Sequence, residues 1–225
     1  MLAIVGGLGA AVAWTMTTLT AARATKLIDS WSLLASVMIV GLIVSIPAAV
    51  ISGVPAGLNG HSTIWISVAG FGNVAGLLFT YTALRIGKIG LVAPISSTEG
   101  AVAALIAVVA GEHLAPSEGI PLLAIAAGVA LAASAPGKPE GRRVEIQAGL
   151  LAGCAAVCFG FGLYATGRVG QDLGIAWAVL PPRVVGVALI AIPMALSRRW
   201  RMTRDALPYV VACGKIGRAS CRERV

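Results

Sequence analysis

The residue best placed to do chemistry is Glu99, a carboxylate inside the apolar run 90–110 with roughly 13 Å of helix on either side. A charge there is costly unless it faces a cavity, meets a partner or takes a proton. One reading is a proton- or cation-coupling residue, or a contact for a cationic substrate; the other is a protonated Glu hydrogen-bonded to a neighbouring helix. Ser96 lies one turn earlier on the same face, with Ser97 and Thr98 beside it. Pro94 has no amide hydrogen, so it frees a carbonyl in the preceding turn and bends the helix. A kinked, hydroxyl-rich helix centre suits a ligand wall, although Ser and Thr also satisfy carbonyls inside ordinary helices.

Other polar groups stand in apolar surroundings. The run 2–22 offers Trp14, Thr15, Thr17 and Thr18, and the run 64–84 offers Asn73 and, two turns on, Thr80 with Tyr81 adjacent. A buried amide must be satisfied, by a substrate or as glue between helices. Arg183 follows Pro181 and Pro182, which are expected to break or kink the helix; it either serves a substrate or snorkels to the interface. His61 and His113 fall in loops without ligand spacing, and the four cysteines show neither metal spacing nor a disulfide framework. The sequence has no Gly-rich phosphate loop and no paired catalytic carboxylates. It predicts no enzyme, no metal and no cofactor.

The elements that must position these residues are membrane helices. Of 225 residues, 58% are apolar and only 12% charged, with a mean hydropathy of +0.91. Those values exclude a soluble globule and a disordered chain. The net charge of +8 comes from short clusters between apolar runs, not from a basic face, so the expected partner is the lipid bilayer and no nucleic acid. Seven runs are long enough to span: 2–22, 31–52, 64–84, 90–110, 119–135, 148–167 and 174–196. Short loops join them, among them 168–173. Small residues four apart, as Gly72/Gly76, Gly100/Ala104, Gly128/Ala132 and Gly149/Gly153, predict close helix packing.

Loop charges set orientation. Arg23, Lys26, Arg85, Lys88, Lys138, Arg142, Arg143, Arg198, Arg199, Arg201 and Arg204 share one side, and Arg168 stands alone on the other. The first side is therefore expected in the cytoplasm and Met1 outside. A shift of 145 residues matches Ala10-Ala11-Val12 to Ala155-Ala156-Val157, Trp14 to Phe159, Arg23 to Arg168 and Val40-Gly41 to Val185-Gly186. Corresponding loops carry opposite charge bias, as expected when a five-span unit repeats upside down. The chain then divides into a first five-helix repeat (1–135), a cytoplasmic linker (136–147) and an incomplete second repeat (148–214).

Positions 82–133 resemble the EamA-type transporters of the drug/metabolite transporter superfamily. Ala83-Leu84, Gly87, Ala93-Pro94-Ile95, Glu99, Gly111-Glu112 and Gly128-Val129 follow that family's order and spacing, and fainter similarity covers the rest of 1–214. The resemblance implies two inverted five-helix repeats and a central cavity lined by the first, third and fourth helices. Members of the family usually keep the N-terminus inside, whereas the charges here place it outside. The last ten residues back-translate, in one legal codon set, to ATC GGA AGA GCG TCG TGT AGG GAA AGA GTG. That string is one frame of a common short-read sequencing adapter, whose next triplet is a stop. Residues 215–225 are thus expected to be an artefactual tail, and 206–214 the start of an eighth span in a C-terminally truncated chain.

The resulting expectation is an all-α integral membrane bundle from two inverted five-helix repeats, truncated after seven spans plus the start of an eighth. Its complete form is expected to be a secondary transporter. It would export or exchange a small metabolite or drug-like molecule across the inner or plasma membrane by alternating access, with Glu99 as the candidate for proton coupling. A lipid-linked flippase or a channel is the alternative, and an intramembrane enzyme a more distant one. A channel wants a pore ringed by polar groups, whereas inverted repeats favour alternating access.

Overall fold

Apolar runs of this length become helices because a bilayer offers no water to backbone amides and carbonyls. The structure, a computed structural model, describes residues 2–53, 55, 59–112, 127–128 and 142–214. Among them α1 is Leu2–Leu27, α2 Ser30–Ser52, α3 Gly60–Ile86, α4 Ile89–Ser96, α5 Glu99–Val109 and α6 Arg142–Gly186. A π turn (Val187–Ala191), α7 (Ile192–Leu196), a 3₁₀ turn (Arg204–Ala206) and α8 (207–214) follow. Among the described residues five segments are long and apolar enough to cross a membrane: Ser30–Ser52, Gly60–Ile86, Ile89–Val109, Arg142–Val169 and Val179–Leu196. Apart from positions 127–128, the expected fifth span lies outside the described residues, as do 136–141 of the expected linker and the tail 215–225. Linker residues 142–147 already belong to α6.

Polar residues fix the helix starts. Asp29 caps α2 by accepting from the Ser32 amide at 3.0 Å, and Asn59 and Ser62 form a reciprocal capping box on α3.

One expectation about α6 needs correction. The predicted loop 168–173 has helical backbone, part of the helical stretch Arg142–Gly186. Straight, such a helix would reach about 67 Å. It is not straight: Gly162 lies against Ala69 and Asn73, while Pro182 and Val185 lie against Gly70, so the chain turns back between 162 and 182. Pro181 and Pro182, expected to break or kink the helix, lie inside this helical stretch. They follow closely on the reversal, where amides need no carbonyl one turn back. The π turn precedes Pro193, whose missing amide hydrogen interrupts the regular ladder.

α3 packs along the first half of α6 on glycine. A methyl group at Gly72 would sit 2.6 Å from the Cys158 carbonyl oxygen, and one at Gly76 2.6 Å from the Phe159 ring. This is the predicted 72/76 stripe. Among the described residues the glycines of the other stripes make no such contact: Gly100, Gly128 and Gly153 have no neighbour close to an added methyl, and Gly149 meets only Ile95. α4 and α5 follow α6 in the same direction, with Ile95 near Gly149 and Val102 against Gly160.

Two contacts join residues 145 apart. The Trp14 and Phe159 rings meet edge-on at 5.6 Å, and the Arg183 guanidinium donates to the Met38 thioether at 3.8 Å. Gly41 packs on the Arg183 side chain and Gly186 on that of Met38, which are the same contact with the positions exchanged. Such reciprocity is what a twofold rotation produces.

Candidate functional site

The fourth span is interrupted at its middle. α4 ends at Ser96, Ser97 and Thr98 form a turn, and α5 opens on Glu99. Pro94 lies inside α4, one turn before the break. Nearby carbonyls are met by side chains: Ser97 Oγ donates to the Pro94 carbonyl and Thr98 Oγ1 to that of Ile95, each at 2.8 Å. These two hydroxyls are thus engaged by the backbone. Glu99 becomes the first residue of a half-helix, 5% exposed, at the end where amides lack carbonyl partners. Ser96 is also buried, and its Oγ has no hydrogen-bond partner among the described residues.

A second cluster forms around Arg183, which is 4% exposed. Its side chain crosses Gly41, where an added methyl would stand 3.0 Å from Cδ and Nε, and ends at Met38. Among the described residues that thioether is its one hydrogen-bond partner, and no carboxylate pairs with it. Met38 lies about 12 Å along α2 from Ser30 and about 21 Å from Ser52. Tyr81 is fully buried within electrostatic reach of Arg183 and Cys213, and its hydroxyl has no partner among the described residues. A desolvated guanidinium with spare donors can hold an anionic or carbonyl group.

The remaining candidates are placed as follows. Asn73 is half-buried beside Gly162, with its Oδ1 unpartnered among the described residues. Thr17, Thr18 and Thr80 are buried and donate to the carbonyls of Ala13, Trp14 and Gly76. Their lone pairs can still accept. Thr15 makes the same type of bond to Ala11 but is exposed, so the structure does not bring it inward. Trp14 packs on Phe159.

Sequence reasoning missed Met38 and Cys213, because neither residue type stands out in an apolar run. Cys213 Sγ donates to the Thr17 carbonyl at 3.6 Å and lies 3.1 Å from Thr20 Oγ1, fastening α8 to α1. Only the 145-residue register pointed to Met38, as the counterpart of Arg183. Ion pairs tie both ends of the bundle. Lys88 and Glu145 meet at 2.6 Å at the arginine-rich end, and Glu112 and Arg168 at 3.2 Å at the other. There Arg168 also lies 5.9 Å from the Trp65 ring, which meets Tyr164 edge-on.

A bundle of apolar spans, one of them discontinuous around a buried carboxylate, defines a multi-pass membrane protein with a polar interior. Residues 1–134 match the EamA-like transporter family, and the chain belongs to it. It is therefore a membrane transporter of the drug/metabolite transporter superfamily, a family of carriers rather than enzymes, with a small-molecule substrate. A solved structure titled only "Crystal structure of protein" shares the fold, with a TM-score of 0.69 and 22% identity over 99% of this chain and 77% of that one. No curated protein matches the chain.

Proposed function

We propose that the complete protein carries a small metabolite or drug-like molecule across the inner or plasma membrane by alternating access, as export or exchange. Glu99 moves protons, while Arg183 and Tyr81 hold an anionic or carbonyl-bearing part of the cargo. The observation that carries this reading is the buried carboxylate opening a half-helix at the middle of a span. Discontinuous helices at mid-membrane are where secondary transporters place substrate and ion sites. The reciprocal contacts of Met38, Gly41, Arg183 and Gly186 support two inverted five-helix units rocking about a shared axis. Lys88–Glu145 and Glu112–Arg168 then act as closures at the two ends. The arginine-rich end faces the cytoplasm, by the excess of Lys and Arg there.

Reconstitution of the complete protein in proteoliposomes tests this. Saturable counterflow from a panel of labelled metabolites, responsive to a pH gradient, is expected. Unsaturable flux would replace the reading with a channel, and lipid translocation without solute flux with a flippase.

A further inference from the structure

A groove of about 770 Å³ opens at the arginine-rich end, between the start of α2 and the end of α7. Its floor is apolar, built from Leu189, Ile190 and Met194, and its rim carries Arg198, Arg199 and Arg201. The rim is held in place: Trp200 Nε1 donates to Ser36 Oγ at 3.0 Å, and the Arg201 amide to Ser32 Oγ at 3.1 Å. None of the three guanidiniums has a carboxylate partner among the described residues. The one acid lining the groove is Asp29, the cap of α2, so three guanidiniums against one carboxylate leave the lining with a net positive charge.

The backbone supplies an independent observation. Arg198 has φ of 51°, the only left-handed non-glycine residue among those described. It closes the helix where glycine is the usual occupant, with its amide donating to the Ala195 carbonyl at 3.2 Å. Stability alone would place glycine here, and strain of this kind is stored where a side chain has another task. We infer that the groove is a binding site for an anionic phospholipid, with the headgroup phosphate on Arg198, Arg199 and Arg201 and an acyl chain along Leu189, Ile190 and Met194. Charge complementarity selects the head, and the apolar floor, continuous with the exposed Leu196 and Ile192, selects a lipid over a free phosphate.

The test is native mass spectrometry of the purified full-length protein equilibrated with equal dioleoyl-phosphatidylglycerol and dioleoyl-phosphatidylcholine. The wild type retains the anionic lipid preferentially, and each guanidinium removed lowers that preference about fivefold, to parity in R198Q/R199Q/R201Q. Arg204→Gln, outside the groove, leaves it unchanged. Arg198→Gly keeps the assay decisive if the triple variant misfolds: relieved of strain, it unfolds at a higher temperature in neutral detergent, yet it retains less phosphatidylglycerol. Equal retention of both lipids by the wild type, or wild-type selectivity in R198G, overturns the site. A loss in R204Q as large as in R198G replaces it with diffuse surface charge, and displacement by millimolar glycerol 3-phosphate with a free-phosphate site.

Discussion

Replacing Arg183 with Met separates a cargo-holding guanidinium from a structural one, because the two roles predict opposite signs. Arg at the centre of a span costs about 2.5–3.5 kcal/mol on insertion scales. A thioether acceptor at 3.8 Å returns little of that. Methionine fills the same slot across Gly41 and repeats the residue found at the counterpart position 38, but it ends short of the guanidinium. The small void left behind costs about 1 kcal/mol. Arg183→Met should therefore stabilise the complete protein by about 1–2 kcal/mol, measured as the midpoint of unfolding in mixed detergent micelles, while abolishing counterflow. Arg183→Lys keeps the charge without the planar fork, so it should leave stability near the wild type and still lose transport. Destabilisation of R183M by more than about 1 kcal/mol would refute the reasoning, since Arg183 would then be held by a partner that folding requires.

Gly72→Ala should destabilise by about 1–3 kcal/mol in the same assay, because the new methyl meets backbone at Cys158 and Gly162 that cannot rotate away. Gly153→Ala, in open space, should instead stabilise by about 0.5–1 kcal/mol through helix propensity; equal signs would place the α3–α6 contact elsewhere. Glu112→Gln should cost less than about 1 kcal/mol, since both partners of its ion pair are nearly half exposed. For orientation, an impermeant thiol reagent on intact cells should label Asn59→Cys and spare Lys138→Cys, and the reverse pattern would invert the topology.

The spans were legible because lipid imposes length and apolarity on any segment that crosses it. Their ends were less so: α1 continues through Arg23 and Lys26 to Leu27, since long cationic side chains extend from a helix without ending it. Residues 168–173 read as a loop from Arg168, Gly170, Gln171 and Asp172; the chain does reverse between 162 and 182, but through helical backbone rather than an extended connection. A distortion of this span was legible in Pro94, because a missing amide is a local fact, but the turn at Ser97 and Thr98 that makes Glu99 a helix start lies beyond the turn that Pro94 perturbs. The surroundings of Arg183 were not, since Met38, Tyr81 and Cys213 come from α2, α3 and α8 and converge only through tertiary packing. Spacing of small residues says where helices can approach, not which face has a neighbour; among the described glycines of the predicted stripes only Gly72 and Gly76 meet a neighbouring helix closely.

The central claim, that Glu99 couples proton movement to transport, is tested most directly by Glu99→Gln in proteoliposomes of the complete protein. The substitution removes the charge while keeping size and hydrogen-bonding capacity, so expression and fold should be retained. Substrate flux driven by a pH gradient should fall to background, and the pH dependence of any residual exchange should disappear. Full gradient-driven flux with the wild-type pH dependence in E99Q would contradict the account and leave Glu99 a packing residue.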